Sequence, residues 1–134
     1  MKTHPFSGTG VAVVTPFNNS GDVDYPALTK VVEHLISGGV DYLVAMGTTG
    51  ESVVLSKEEK DLVVDHILKI NNKRCPVVLG IGGNNTSALL AQISSQNFSG
   101  ISGILSVSPY YNKPTQAGIY AHYQSIANAC PVPV

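Results

Sequence analysis

Two short stretches carry the side chains with the most chemical potential. Gly47-Thr48-Thr49-Gly50-Glu51 sets two adjacent hydroxyls between glycines, directly behind the apolar run Tyr42-Leu43-Val44-Ala45-Met46. Where a chain turns out of a sheet, consecutive backbone N–H groups can form an anion-binding concavity, and glycines let a ligand approach the backbone closely. A phosphate needs a lysine or arginine beside it, and none follows before Lys57, so a small carboxylate suits this turn better than a nucleotide. On the residues alone, the competing reading is an ordinary strand-to-helix turn whose threonines satisfy their own backbone. Glu51 has the chemistry of a general base. We read it instead as a brace that accepts backbone hydrogen bonds within the turn.

The second stretch is Ser108-Pro109-Tyr110-Tyr111-Asn112-Lys113-Pro114. A phenol donates and accepts a proton in turn, which suits a relay to a hydroxyl such as that of Thr48. Paired tyrosines suit a protein interface equally well, because the ring buries area while the hydroxyl stays wet. Lys113 offers an amine for a Schiff base, but a loop position between Asn112 and Pro114 lacks the desolvated pocket that activates such an amine. It reads as a surface charge. Gly80-Ile81-Gly82-Gly83-Asn84-Asn85-Thr86 lacks both the phosphate-loop lysine and the dinucleotide pattern, and reads as a tight turn followed by a helix N-cap.

The elements that must position these loops repeat along the chain. Val11 to Val14 predicts a first strand. Asp24 then stands as N-cap with Pro26 close behind, and Leu28, Val31, Val32, Leu35 and Ile36 fall at helical spacing until Gly38-Gly39 stops the helix. Tyr42 to Met46 predicts a second strand. Ser56 to Glu59 has the form of a capping box, and Val63, Ile67 and Ile70 give the following helix its buried stripe. Val77 to Ile81 and a helix from about Thr86 with Leu89, Leu90 and Ile93 form the third unit. Ile104 to Val107 and a helix bearing Ile119, Tyr123 and Ile126 form the fourth, and a fifth strand is expected from Val132.

Strands that are apolar throughout, each followed by an amphipathic helix, indicate a parallel sheet covered by helices. A (β/α)8 barrel spends about 31 residues on each of its units, which matches the spacing of the strand starts, but a doubly wound sheet has a similar period. Glycine-rich and polar clusters follow all four strands alike, which favours a barrel mouth over the single ligand turn of an open sheet. The expectation is one domain over 1–134, an N-terminal half of a barrel with four βα units and the start of strand five.

Composition narrows the partners. The 134 residues are 43% hydrophobic and 13% charged with a net charge of -1, which is the balance of a core-forming protein and offers no basic patch for nucleic acid or anionic membrane. No apolar run approaches the roughly 20 residues of a membrane helix. Met1-Lys2-Thr3-His4-Pro5 lacks a secretory h-region, so the expected location is the cytoplasm. Cys75 and Cys130 have no CxxC spacing and read as reduced, partly buried thiols. The four histidines are scattered, so no metal is expected and no cofactor is called for.

With Gly8-Thr9-Gly10-Val11, Thr15-Pro16-Phe17, the threonine turn and the Tyr-Tyr-Asn-Lys-Pro loop in view, the whole chain resembles the N-terminal half of the dihydrodipicolinate synthase family. The tyrosine loop separates that resemblance from the sialic-acid lyase branch. It implies a pyruvate-dependent, aldolase-type lyase of lysine and diaminopimelate biosynthesis, acting as a homodimer or homotetramer. Pyruvate would form a Schiff base with a barrel lysine, and its enamine would attack aspartate semialdehyde to give 4-hydroxy-tetrahydrodipicolinate. Thr48 and Thr49 would hold the pyruvate carboxylate, and Thr48 would share a proton relay with Tyr111 inserted from a neighbouring subunit. Tyr110 would pack at that interface near a regulatory site that includes Ser52 and Asn84.

Two positions depart from the lysine-inhibited members, which tend to have a histidine and a glutamate where this chain has Lys57 and Ala88. Weak or absent feedback inhibition is expected. The family's third relay tyrosine, its arginine for the aldehyde and its Schiff-base lysine all fall after Val134, so this chain alone is expected to form no covalent intermediate. Two other readings stand beside the lyase: a half-barrel without catalysis that serves as scaffold or weak carboxylate binder, and another pyruvate Schiff-base aldolase, such as one for 2-keto-3-deoxy sugar acids.

Overall fold

The computed structural model describes residues 4–134, so the leader reading of Met1, Lys2 and Thr3 lies outside the described residues. Four strands, β1 (Gly10–Ala12), β2 (Tyr42–Ala45), β3 (Val77–Gly80) and β4 (Gly103–Leu105), alternate with helices α1 (Tyr25–Ser37), α2 (Lys57–Asn71), α3 (Thr86–Ser95) and α4 (Gln116–Ala129). The strands pair in parallel, in the spatial order β1-β2-β3-β4. That order decides between the two architectures. A doubly wound sheet must reverse its strand order at a switch point, whereas right-handed crossovers without reversal lay every helix on the same face and wind the sheet into a barrel wall.

Burial follows the same logic. The register aligns Leu43 with Val77, and Ala45 with Leu79 and Ile104. These five side chains join Leu28, Val32, Val63, Ile67, Leu89, Ile93 and Ile126 in one core between sheet and helices. The alternate residues face the barrel interior, where Leu105 is 56% exposed. Near the strand N-terminal ends that inner face is covered by Phe6, whose ring meets Tyr42 edge-on at 5.7 Å and lies so close over Gly103 that a Cβ there would sit 2.8 Å from it.

Each strand ends sooner than its apolar run, because the last apolar residue already begins a loop. Met46, for example, is buried but left-handed at φ 57°. No fifth strand forms at Val132. Pro133 instead offers its carbonyl to Ile104 N at 2.8 Å, so 132–134 lies beside β4 in the place a next strand takes, without extending far enough to make a ladder.

The helix boundaries follow local side-chain chemistry. Asp24 accepts from Ala27 N at 2.9 Å, Asn85 from Ala88 N at 3.1 Å, and Thr115 from Gly118 N at 3.1 Å. At α2 the capping box is complete: Glu59 N donates to Ser56 Oγ at 3.2 Å, and Ser56 N donates to Glu59 Oε2 at 2.7 Å. Ser56→Ala removes half of that reciprocal pair and is expected to lower stability by about 1 kcal/mol, read as a lower midpoint in denaturant at unchanged slope. In α4 the buried residues are His122 and Ile126, while Ile119 and Tyr123 are only half-buried. His122 Nδ1 and Thr86 Oγ1 are 2.8 Å apart, tying α3 to α4, and His66 with Thr29 ties α1 to α2 at the same distance. Arg74 adds a bidentate ion pair to Glu33 at 2.7 and 2.9 Å, whose hydrogen bond holds the Glu33 carboxyl below its ordinary value. Stability from that pair is present above the ordinary carboxylate value and is lost as pH falls through the lowered one. Because both partners are exposed, the effect is small.

Candidate functional site

All four loops that leave the strand C-terminal ends lie along one rim. After β2 the chain makes a single 3-10 turn, Thr48–Gly50, in which Gly50 N donates to Gly47 O and Glu51 N to Thr48 O, both at 3.0 Å. Left-handed residues stand at both ends of the turn, Met46 at φ 57° and Glu51 at φ 53°. Non-glycine residues hold that conformation only where their surroundings impose it. Thr48 and Thr49 are both exposed, and neither hydroxyl makes a hydrogen bond among the described residues. The threonines therefore do not spend their side chains on the local backbone.

Two features impose this shape. Gly80 on β3 lies against the Met46 carbonyl, and any side chain there would overlap it. Thr15, buried at 4% exposure after the end of β1, donates its hydroxyl to Gly50 O at 2.7 Å. This corrects the reading of Glu51 as the brace: Glu51 is exposed, and its carboxylate engages no group among the described residues. The bond comes from the segment just after β1 because Gly50 is buried against it, with Val13 O only 3.0 Å from where a Gly50 Cβ would be. A lone hydroxyl ending the apolar run Val11 to Val14 is the signal in the sequence that could have found Thr15.

The tyrosine loop is held at its base by Tyr123 of α4, whose hydroxyl donates to Ser106 O at 2.8 Å and lies 3.1 Å from Ser108 Oγ. At its tip, Tyr110 N donates to Asn84 Oδ1 at 2.6 Å and Asn112 N to Tyr110 O at 2.9 Å. Asn84 thus serves this loop through its side chain, while Asn85 caps α3. Tyr111 is left-handed at φ 69° and 92% exposed. No hydrogen bond joins it to Thr48 within the chain among the described residues. Lys113 is exposed, in keeping with a surface charge.

A cavity of about 1030 Å³ runs from the rim into the gap between α2 and α3. Thr48, Ser52, Lys57, Gly82, Val107 and Tyr110 line it, whereas Thr49, Asn84 and Tyr111 do not. Of the expected site residues, the fold thus gathers Thr48, Ser52 and Tyr110 around one space, with Thr49 beside it on the same turn. Lys57 is paired with Asp61 at 2.7 Å, and that hydrogen bond and charge raise the Lys57 amine above its ordinary value. Ala88 is exposed in the first turn of α3. Among the described residues no cluster of three or more His, Cys, Asp or Glu side chains could hold a metal, and no helix is long and apolar enough to cross a membrane.

Comparison with known proteins gives this geometry a lineage. The 4-hydroxy-tetrahydrodipicolinate synthase of Flavobacterium psychrophilum is 55% identical over 129 residues, a match covering 96% of this chain and 44% of that protein. The crystal structure of dihydrodipicolinate synthase from Thermotoga maritima superposes with a TM-score of 0.90 at 39% identity, over 96% of this chain and 43% of that one. The chloride-inhibited dihydrodipicolinate synthase from Acinetobacter baumannii, solved in complex with pyruvate, superposes with a TM-score of 0.88 at 44% identity, over 94% and 43% of the two chains. The chain spans about 44% of the length of the curated relative it matches. The strand order, one-sided helices and rim loops are those of the first four units of a (β/α)8 barrel, and with its family model matching residues 5–134, the chain belongs to the dihydrodipicolinate synthetase family.

Proposed function

We propose that residues 1–134 are the N-terminal half of a single barrel domain and supply the pyruvate carboxylate site of a lyase that condenses pyruvate with aspartate semialdehyde to 4-hydroxy-tetrahydrodipicolinate. The observation that carries this reading is the threonine turn. Its two hydroxyls are unengaged at the rim, and the amides of Thr48 and Thr49 open the turn ahead of its own hydrogen bonds. Donors fixed in that geometry match a carboxylate, and they need not reorganise when it arrives.

In the reaction, pyruvate's keto carbon condenses with a lysine amine in the remaining part of the barrel and releases water. Loss of a methyl proton gives the enamine, whose carbon attacks the aldehyde carbon; the new alkoxide takes up a proton, and the amine of the former semialdehyde then attacks the imine carbon, closing the ring and displacing the lysine amine. The role of this chain is to orient the carboxylate at Thr48 and Thr49 and to pass protons between Thr48 and Tyr111. The high exposure of Tyr111, and the lack of a bond from it to Thr48 in the same chain, favour a relay completed by Tyr111 of a second copy in a homodimer or homotetramer. Tyr110 belongs to the same contact, and no metal or cofactor takes part. The protein works in the cytoplasm.

Lysine inhibits it weakly or not at all. Lys57 stands where lysine-inhibited members tend to carry a histidine and is already paired with Asp61, and Ala88 offers no anion where those members tend to carry a glutamate. At millimolar lysine the activity is expected to stay within about 20% of its uninhibited value. Halving of the rate would contradict this.

The functional test joins this chain at Val134 to the C-terminal part of the Flavobacterium psychrophilum relative, giving a complete barrel. Borohydride reduction with pyruvate is expected to add one pyruvate-derived group to the chimera and none to the 134-residue chain. Condensation with aspartate semialdehyde is then followed through the product's dehydration. An adduct at Lys113, or a trapped chimera that turns over only a 2-keto-3-deoxy sugar acid, would reject the assignment.

A further inference from the structure

We propose that Thr15 is a positioning residue of the pyruvate site, setting the aim of the Thr48 and Thr49 donors through the backbone of Gly50; this rests on the pyruvate reading above. The geometry is specific. Thr15 is one of few polar residues in the buried interior among the described residues, at 4% exposure, and its hydroxyl donates at 2.7 Å to the carbonyl that ends the turn, 35 residues away. That carbonyl belongs to Gly50, which is itself buried against the residues that follow β1, so the bond links the loops leaving two different strands across the rim.

The turn has little else to hold it. Neither threonine side chain bonds to the protein among the described residues, and no side chain caps the turn. Its backbone bonds are Gly50 N to Gly47 O and Glu51 N to Thr48 O, both internal to the turn. Those bonds keep its shape but say nothing of its tilt relative to the barrel axis. Tilt is fixed from outside, on one flank by the Met46 carbonyl seated on Gly80 and on the other by Thr15. Removing the Thr15 hydroxyl leaves the Gly50 carbonyl buried without that donor. The turn then relieves the deficit by rotating the Gly50–Glu51 peptide toward solvent, which draws Glu51 N away from Thr48 O and lets the Thr48 and Thr49 amides shift.

A core threonine with a purely structural role would lower stability and leave substrate binding alone once the protein is folded. A positioning residue changes pyruvate binding in folded protein, because donors displaced by a fraction of an ångström are no longer aligned with the carboxylate. The two roles therefore separate in kinetics.

The test uses Thr15→Val, which keeps the shape and deletes the hydroxyl, and Thr15→Ser, which keeps the hydroxyl, both in the completed barrel. Thr15→Val is expected to raise the pyruvate KM about tenfold with aspartate semialdehyde KM within about twofold of the parent, while Thr15→Ser restores pyruvate KM to within about threefold. Amide chemical shifts of Thr48, Thr49 and Gly50 are expected to move in Thr15→Val and not in Thr15→Ser. A folded Thr15→Val barrel with unchanged pyruvate KM overturns the assignment, as does a Thr15→Val variant that only unfolds while Thr15→Ser behaves as the parent. A parent barrel that traps no pyruvate instead overturns the functional reading itself, so the two failures are distinguishable.

Discussion

Tyr111→Phe in the completed barrel is expected to lower kcat by about 10² to 10³, with the pyruvate KM within about twofold of the parent. The substitution keeps the ring, and with it whatever contact area the loop makes with a second copy, and removes only the proton that the phenol passes on. The loop itself should survive the change. Its backbone is set by Tyr110 N on Asn84 Oδ1 and by Tyr123 on the Ser106 carbonyl, neither of which involves the Tyr111 hydroxyl. Because Tyr111 is 92% exposed in one chain, the same loss should appear in mixed oligomers as complementation. A Tyr111→Phe subunit paired with a Thr48→Val subunit should recover about a quarter of the parental rate, since one site in the dimer then carries both parental side chains and the mixed dimer is about half of a random mixture. A fall in kcat below about threefold for Tyr111→Phe would remove the phenol from the relay.

Thr49→Val is expected to act on the other kinetic parameter. The exchange is nearly isosteric and deletes one donor to a carboxylate, and hydrogen bonds to charged groups contribute about 1.5–3 kcal/mol. The pyruvate KM should therefore rise by roughly 10- to 150-fold, with kcat at saturating pyruvate falling much less. Stability should barely change, because the Thr49 hydroxyl bonds to nothing in the protein among the described residues. Steady-state kinetics at varied pyruvate, with thermal unfolding as control, measure both. Equal losses in kcat and KM from both Thr49→Val and Tyr111→Phe would erase the division between holding the substrate and moving protons.

The repeat of strand and helix was plain in the sequence because each signal is local. Ser56 and Glu59 announce α2 by capping chemistry, Asp24 with Pro26 announces α1, and both act within a single turn. The choice of barrel over open sheet was only favoured by the loops, since period does not encode strand order. Pairing of β1 with β2 and of β3 with β4, without reversal, is what decides it. The threonine turn and the tyrosine loop were legible as chemistry, but the parts that hold them were not. Thr15 reaches Gly50 across 35 residues, and Asn84 reaches Tyr110 across 26, and no local pattern reports a bond of that span. Glu51 misled for the same reason. Its place next to the turn looked like a brace, whereas the bond that braces the turn arrives from the segment just after a neighbouring strand. His122 went unread because a buried histidine is recognised by its partner, Thr86 on the next helix, and not by its own spacing.

The central claim is that a keto acid's carboxylate is received by the Thr48–Thr49 turn at the barrel rim. A crystal structure of the completed barrel, with pyruvate reduced onto its lysine by borohydride, tests this most directly. The account expects the carboxylate oxygens at about 2.7–3.2 Å from the Thr48 and Thr49 amides and the Thr49 hydroxyl, with the Thr15 to Gly50 bond intact. A trapped pyruvate whose carboxylate points away from that turn, with both threonine hydroxyls still unengaged, would contradict it.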